Sequence, residues 1–157
     1  MSTQGMSTHE SNDWMQLEPR LVALVRAAVQ DLRPAVHVLT AAELADVKEQ
    51  AQLTPAVHVI YGGFRITDSQ RTAWQLTHTW YAVAAVRNVA TVRSGQAARA
   101  QAGTLAARVL AALASAQVPG ATQPLEPTTP PPARYAAGFQ YVPVAVQAVT
   151  VFKKPLS

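Results

Sequence analysis

The sequence contains no cysteine, which excludes disulfide bonds, thiolate metal sites and a cysteine nucleophile. Charge is also scarce, since 14% of the residues are charged against about 25% in an average soluble domain. No stretch approaches the ~18 consecutive apolar residues of a membrane-spanning helix, and the polar start MSTQGMSTHESND does not resemble a signal peptide. We expect no membrane association, and the low charge suggests that part of the surface is covered by a partner.

Acidic residues are nearly missing from the second half of the chain. Residues 1–68 carry eight acids against five lysines or arginines, whereas residues 69–157 carry one acid, Glu126, against eight lysines or arginines. This division suits head-to-tail contact between copies of the chain. It is also compatible with nucleic-acid binding, or with an ordinary solvated surface.

The length of 157 residues is typical of one domain. We expect a disordered tail over residues 1–13, a single α+β domain over 14–152, and a basic tail over 153–157. The predicted order is α-β-α-β-β-α-β, a mostly antiparallel sheet of about four strands packed by two to three helices. The predicted helices cover residues 17–33, 41–52 and about 94–113, and the predicted strands cover residues 35–40, 55–61, 74–89 and 139–152.

Local signals set the boundaries of these elements. Thr40 with Glu43 three residues later predicts a capping box at the start of the second helix. Residues 62–73 are expected to be a polar connection that projects beyond the sheet, and residues 118–133, with six prolines, an extended, stiff loop. Pro143 predicts an edge or a bulge at its position in the last strand. Gly103 predicts close packing of the third helix.

Catalytic signatures are missing as well. The sequence has no GxGxxG, phosphate-binding loop, HExxH or GxSxG pattern, and its acids lie mostly at solvent-facing helical positions. His37, His58 and His78 fall on three predicted strands and would bind a metal if they converged. Their ordinary interpretation is as half-buried strand residues. We therefore expect no enzyme, no cofactor and no metal site.

The arginines are the candidate functional residues. They outnumber the lysines ten to three, which favours planar, bidentate partners such as carboxylates. No acid lies between Asp68 and Glu126 to offset those in that stretch, so we predict partners on another subunit. The candidate interface residues are Arg65, Arg71, Arg87, Arg93, Arg99 and Arg108. The alternative, a nucleic-acid reader, would use exposed aromatic residues near these arginines, and Trp74, Trp80 and Tyr81 are the candidates.

Three segments carry a resemblance to a known family. The long strand in HTWYAVAAVRN, the helix in QAGTLAARVLAAL after a glycine-containing turn, and the closing strand GFQYVPVAVQAVTVF after a proline-rich loop resemble the tail terminators of tailed bacteriophages, particularly Mu-like phages and prophages. The resemblance covers roughly residues 17–152.

The resemblance implies a structural role in the virion, with assembly in the host cytoplasm. Tail terminators of this kind form a hexameric ring on the end of the tail tube. The ring stops addition of tube subunits and presents a surface to neck or head-completion proteins, and in contractile tails it also meets the last sheath ring. Such a protein would need neither a cofactor nor specific nucleic-acid binding. The other hypothesis is a nucleic-acid-associated module that uses the basic second half.

Overall fold

The fold is one mixed sheet with two long helices packed on one face. The computed structural model describes residues 12–88 and 92–155, with the backbone alone for 92–94. The predicted disordered tail therefore lies almost entirely outside the described residues, as do Val89 and the last two residues. The elements are α1 (Leu17–Val29), β1 (His37–Thr40), α2 (Ala41–Leu44), β2 (Ala56–Ser69), β3 (Ala73–Arg87), α3 (Val92–Leu113), β4 (Glu126–Thr128), β5 (Arg134–Ala136) and β6 (Phe139–Lys153).

The strand order across the sheet is β1-β2-β3-β6-β4. Strand β5 lies on the same side of β6 as β4 and pairs with the first residues of β6. Strand β1 runs parallel to β2, whereas the remaining pairs are antiparallel. The α+β class is confirmed. The described sheet has six strands instead of about four, because β4 and β5 add to the outer edge of β6, and β1 makes it mixed.

The core lies between the sheet and the two long helices. Helix α1 buries the predicted stripe, Leu17, Leu21, Val25 and Val29, and α3 buries Ala98, Ala102, Leu105, Ala106, Val109 and Leu113. Both stripes pack against the sheet, where Trp80 is among the largest fully buried side chains. The small alanines bring α3 close to the strands. Gly103 is not part of this contact, because a Cβ there would meet nothing within 4 Å.

The second predicted helix is much shorter than expected. It covers one turn, Ala41–Leu44, and a short 3-10 turn follows at Glu49–Ala51. The capping box is confirmed, since the Glu43 carboxylate accepts hydrogen bonds from the Thr40 backbone N–H at 3.3 Å and hydroxyl at 3.1 Å. No residue of α2 is buried, so no packing face extends the helix beyond its cap.

Strand β2 does not end at Gly62 and Gly63. It continues to Ser69 and pairs with the start of β3 as far as Ser69↔Trp74, so the expected polar connection is instead a hairpin. The glycines lie at a register shift between Tyr61 and Phe64, where Gly63 has φ +97° and a Cβ on Gly62 would lie 2.5 Å from the Tyr81 ring. A bulge at these glycines thus lets β2 continue to pair with β3 beyond them.

The last strand is central along most of its length. Strand β6 pairs with β3 from end to end, and on its other side β5 pairs with residues 139–141 and β4 with residues 145–147. Pro143 lies between these two short strands, so it has no partner strand on the outer side of β6, whereas on the inner side it pairs with Val83. The predicted edge position therefore holds on one side of the strand. The predicted proline-rich loop, residues 118–133, contains one short strand, β4.

Candidate assembly surface

The β2–β3 hairpin extends beyond β1 at one edge of the sheet, while β6 stays paired with β3 as far as Ala73. Strand β1 pairs with β2 only as far as Val59, so the outer edge of β2 from Ile60 to Ser69 has no neighbouring strand among the described residues. All residues from Phe64 to Thr72 are exposed. We call residues 60–77, the outer part of β2, the turn and the start of β3, the arm. An unpaired strand edge of this length is a ready site for contact with another chain.

One face of the arm carries an aromatic surface. The Phe64 ring lies 5.1 Å from the Trp14 ring, which lies 6.0 Å from Phe152, which in turn lies 6.0 Å from Trp74. Phe64 is 46% exposed and Ile66, at the next position on the same face, is 58% exposed. We call Trp14, Phe64, Ile66, Trp74 and Phe152 the aromatic patch. Exposed apolar side chains grouped in this way mark an interaction surface.

Sequence reasoning missed this patch. The stretch Phe64-Arg65-Ile66-Thr67 alternates apolar and polar residues, which is the pattern of a strand with one apolar face. The alternation was available in the sequence, but the two preceding glycines indicated a strand end. The contribution of Trp14 and Phe152 could not be predicted, because it depends on how α1 and β6 meet the arm.

The predicted arginines do not form one surface. Arg65 lies on β2 and Arg71 in the turn of the arm, whereas Arg87 ends β3 at the opposite end of the sheet. Arg99 and Arg108 lie on exposed positions of α3. The side chain of Arg93 lies outside the described residues. The candidates therefore fall into a group on the arm and a group at the other end of the molecule.

One of these arginines has a partner in its own chain. Arg108 Nη1 lies 3.1 Å from Asp31 Oδ1, although the two side chains are 41% and 67% exposed. We expected the carboxylate partner of Arg108 to lie on another subunit. The pair with Asp31 was not predicted, because the two residues are far apart in the sequence. An exposed pair contributes at most about 1 kcal/mol to folding. Within residues 12–88 and 92–155, the remaining candidates with described side chains, Arg65, Arg71, Arg87 and Arg99, have no carboxylate within 4.0 Å.

Two acids of the first half are held by hydrogen bonds near the surface. Glu43 accepts the capping bonds of α2, and Glu49 accepts a hydrogen bond of 2.8 Å from the Tyr141 hydroxyl. Gln52 donates to the same hydroxyl at 2.7 Å. Burial raises the pKa of Tyr141. The segment after α2 is thereby fixed to the sheet face opposite the helices, with Asp46 exposed on it.

The histidines do not converge. His78 faces the helix layer and is fully buried, with one ring nitrogen 2.7 Å from the Tyr61 hydroxyl and the other 2.7 Å from the Thr150 hydroxyl. Burial lowers its pKa to about 4. His58 lies on the opposite face, near Tyr141, and burial lowers its pKa as well. The metal hypothesis required three histidines to meet, but the sheet separates His78 from His58, and His37 lies on β1. Among the described residues, no group of three histidine or acidic side chains could hold a metal ion.

The aromatic residues proposed for base stacking are mostly unsuited to it. Trp80 is 1% exposed and part of the core, so its ring cannot contact a base. Trp74 is half-buried beside Phe152, and the Lys154 ammonium lies 5.0 Å from its ring centre.

The helices of the described part of the chain include none long and apolar enough to cross a membrane.

The whole domain, including the arm and both long helices, corresponds to a known family. The family model of the phage tail terminator protein matches residues 13–154. The chain belongs to the phage tail terminator family. Terminator-family proteins are structural components of the phage tail, so this chain is a virion protein of the tail. The resemblance seen in the sequence is confirmed at this level.

Other comparisons add little to the family match. A chain from a solved structure titled "Virion of native gene transfer agent (GTA) particle" is similar to this terminator with 17% identity and a TM-score of 0.46. The alignment covers 92% of each chain. A comparison with curated proteins finds no match.

Proposed function

We propose that this terminator assembles as a ring, with six subunits, that caps the tail tube. The ring stops the addition of tube subunits because its outer face offers them no surface to extend, and that face binds the neck or head-completion protein. In a contractile tail the ring also contacts the last sheath ring. The observation that carries the proposal is the exposed arm, whose unpaired edge and aromatic patch suit contact with another subunit.

The charges support contact between unlike surfaces. Arg65, Arg71, Arg87, Arg93, Arg99 and Arg108 are proposed to face other subunits or tail partners, and their positions at two ends of the molecule suit a head-to-tail arrangement. A contact between two different surfaces of the same subunit closes into a ring when its rotation divides a full turn. Such a ring covers much of each subunit, in keeping with the low content of charged residues.

Native mass spectrometry and negative-stain microscopy of the purified protein test the ring. We expect a single closed species with the mass of six subunits. Adding this species to polymerising tube subunits should shorten the tubes and cap one end of each. A protein that stays monomeric at high concentration and retards DNA in a gel, with affinity falling steeply as salt rises, would support the nucleic-acid alternative and overturn the ring.

A further inference from the structure

A groove lies on the helix side of the molecule, at the end opposite the arm. It encloses about 490 Å³ between the chain following α1, the residue before β2 and the middle of α3. Leu32, Pro34, Val36, Pro55 and Leu105 give it an apolar floor and walls. A volume of this size accommodates large side chains or a small ligand.

Two exposed arginines rim this groove, and both make hydrogen bonds within their own chain. Arg33 donates hydrogen bonds to the backbone carbonyls of Gln30 at 3.3 Å and Leu32 at 2.8 Å. Arg108 is held by Asp31. Guanidinium groups stack favourably on aromatic rings. The groove therefore combines an apolar interior with a rim suited to aromatic side chains.

The aromatic patch has the complementary character and lies at the other end of the same strand. Pro55 precedes the first residue of β2, and Ile66 lies near its far end. A rise of ~3.3 Å per residue puts them roughly 35 Å apart, so the arm cannot reach the groove of its own subunit. Both features lie on the helix side of the sheet, which lets the arm of one copy overlap the helices of the next.

We infer that the arm of each subunit inserts Phe64 and Ile66 into the groove of the adjacent subunit, so that a second copy of this chain is the occupant of the groove. Arg33 and Arg108 of the receiving subunit then stack against the aromatic patch. The inference rests on the proposed ring and specifies the contact that closes it. Each subunit gives one arm and receives one, which is the geometry of a head-to-tail contact.

Cross-linking tests this contact directly, because the chain has no cysteine of its own. Ile66→Cys places a thiol on the arm, and Ala100→Cys places one at an exposed position of the groove wall. With a short bismaleimide, the double variant should give a ladder of cross-linked species up to the full ring. An equal mixture of the two single variants should give cross-linked dimers between unlike subunits, and neither variant alone should cross-link.

Rings that form normally while the double variant gives no cross-link would overturn the inference and leave the proposed function standing. Cross-linking of Ile66→Cys to itself would also overturn it, because that result requires two arms to meet. A wild-type protein that forms no ring contradicts the proposed function instead.

Blocking variants give a second, independent readout. Ile66→Glu charges the arm, and Ala100→Trp fills the groove; each should raise the dissociation constant of assembly about tenfold or more. Mixed together, they should form dimers, since one intact arm and one intact groove remain, but not rings. Val151→Glu is the matched control, because Val151 is 39% exposed at the same end of the sheet but on the opposite face. It should assemble as the wild type does.

The same variants show whether the aromatic patch binds the groove of a neighbouring subunit or binds the tube protein. If Ile66→Glu forms normal rings but no longer caps tubes, the patch contacts the tube protein, and the inference is wrong.

Discussion

At the scale of single residues, two glycines have opposite requirements. Gly103 lies on an exposed helical position where an added Cβ would meet nothing within 4 Å, whereas Gly120 has φ +98° and a Cβ there would lie 3.0 Å from Arg20 Nη1. Glycine inside a helix costs conformational entropy, while a positive φ penalises any side chain. Of these two glycines, Gly120 has a structural reason to be glycine and Gly103 has none.

Gly103→Ala should raise the free energy of unfolding by about 0.5–1 kcal/mol, because alanine restricts the unfolded chain and clashes with nothing. Urea denaturation followed by circular dichroism measures the change. Gly120→Ala is the comparison and should lower the same quantity by about 1–2 kcal/mol. A Gly103→Ala variant less stable than the wild type would show that the helix needs close approach at this position.

His78 links stability to pH. Its pKa is lowered from 6.5 to about 4 in the folded chain, because burial disfavours the imidazolium. Between these values the unfolded chain binds a proton that the folded chain does not. The free energy of unfolding is therefore highest above about pH 6.5. It decreases as the pH falls toward 4, by up to about 3 kcal/mol, because the unfolded chain gains the proton first.

His78→Gln should flatten this dependence. We expect the variant to be less stable than the wild type at about pH 7.5, and the difference between them to shrink at about pH 4.5. Urea midpoints at the two pH values measure it, and comparison with the wild type cancels the carboxylates and His58, which both chains share. Parallel pH profiles for the two proteins would show that His78 is protonated in the folded state.

At the scale of elements, helix α3 depends on small residues on one face only. Ala102 is fully buried against Val86 and Ala98, with Val142 packed beside them, whereas Ala107 is exposed. The alanines of the buried face set the separation between the helix and strands β3 and β6. A larger side chain therefore has room at Ala107 and none at Ala102.

Ala102→Leu should lower the free energy of unfolding by about 1–3 kcal/mol, because the added carbons must displace the strands. Ala107→Leu introduces the same side chain on the exposed face and should change stability by less than about 0.5 kcal/mol. Thermal or urea unfolding of the two variants measures the contrast. Equal effects at both positions would contradict the packing described for α3.

Elements also show where sequence patterns are sufficient. The stripes of α1 and α3, the capping box at Thr40 and the edge position of Pro143 followed from neighbouring residues alone. The lengths of α2 and β2 did not. Helix α2 ends early because none of its residues is buried, and β2 continues past Gly63 because the start of β3 supplies its hydrogen-bond partners.

At the scale of the whole molecule, we expect Arg87 and Arg99 to act between subunits and not in folding. Arg87 and Arg99 are exposed, and Arg87 has only a cation–π contact with Phe139 at 5.8 Å among the described contacts. Arg87→Glu or Arg99→Glu should weaken ring assembly and leave the circular dichroism of the monomer unchanged. Native mass spectrometry measures the assembly.

Arg26→Glu provides the control for this charge reversal, because Arg26 is exposed on α1 and outside the predicted interface set. It should assemble normally. Unfolding of the Arg87 or Arg99 variants would show that these residues support the monomer, and unchanged rings would remove them from the interface.

The sequence by itself determined the α+β class, the positions of the two long helices and of β3 and β6, the separation of charge and the resemblance to tail terminators. These are properties of residue type and short-range periodicity, which the chain carries wherever it folds. The tertiary structure alone decided the parallel placement of β1, the arm with its aromatic patch, the Asp31–Arg108 pair and the groove at the opposite end. Each of these joins residues far apart in the chain, and only the packing of the sheet against its helices brings them together.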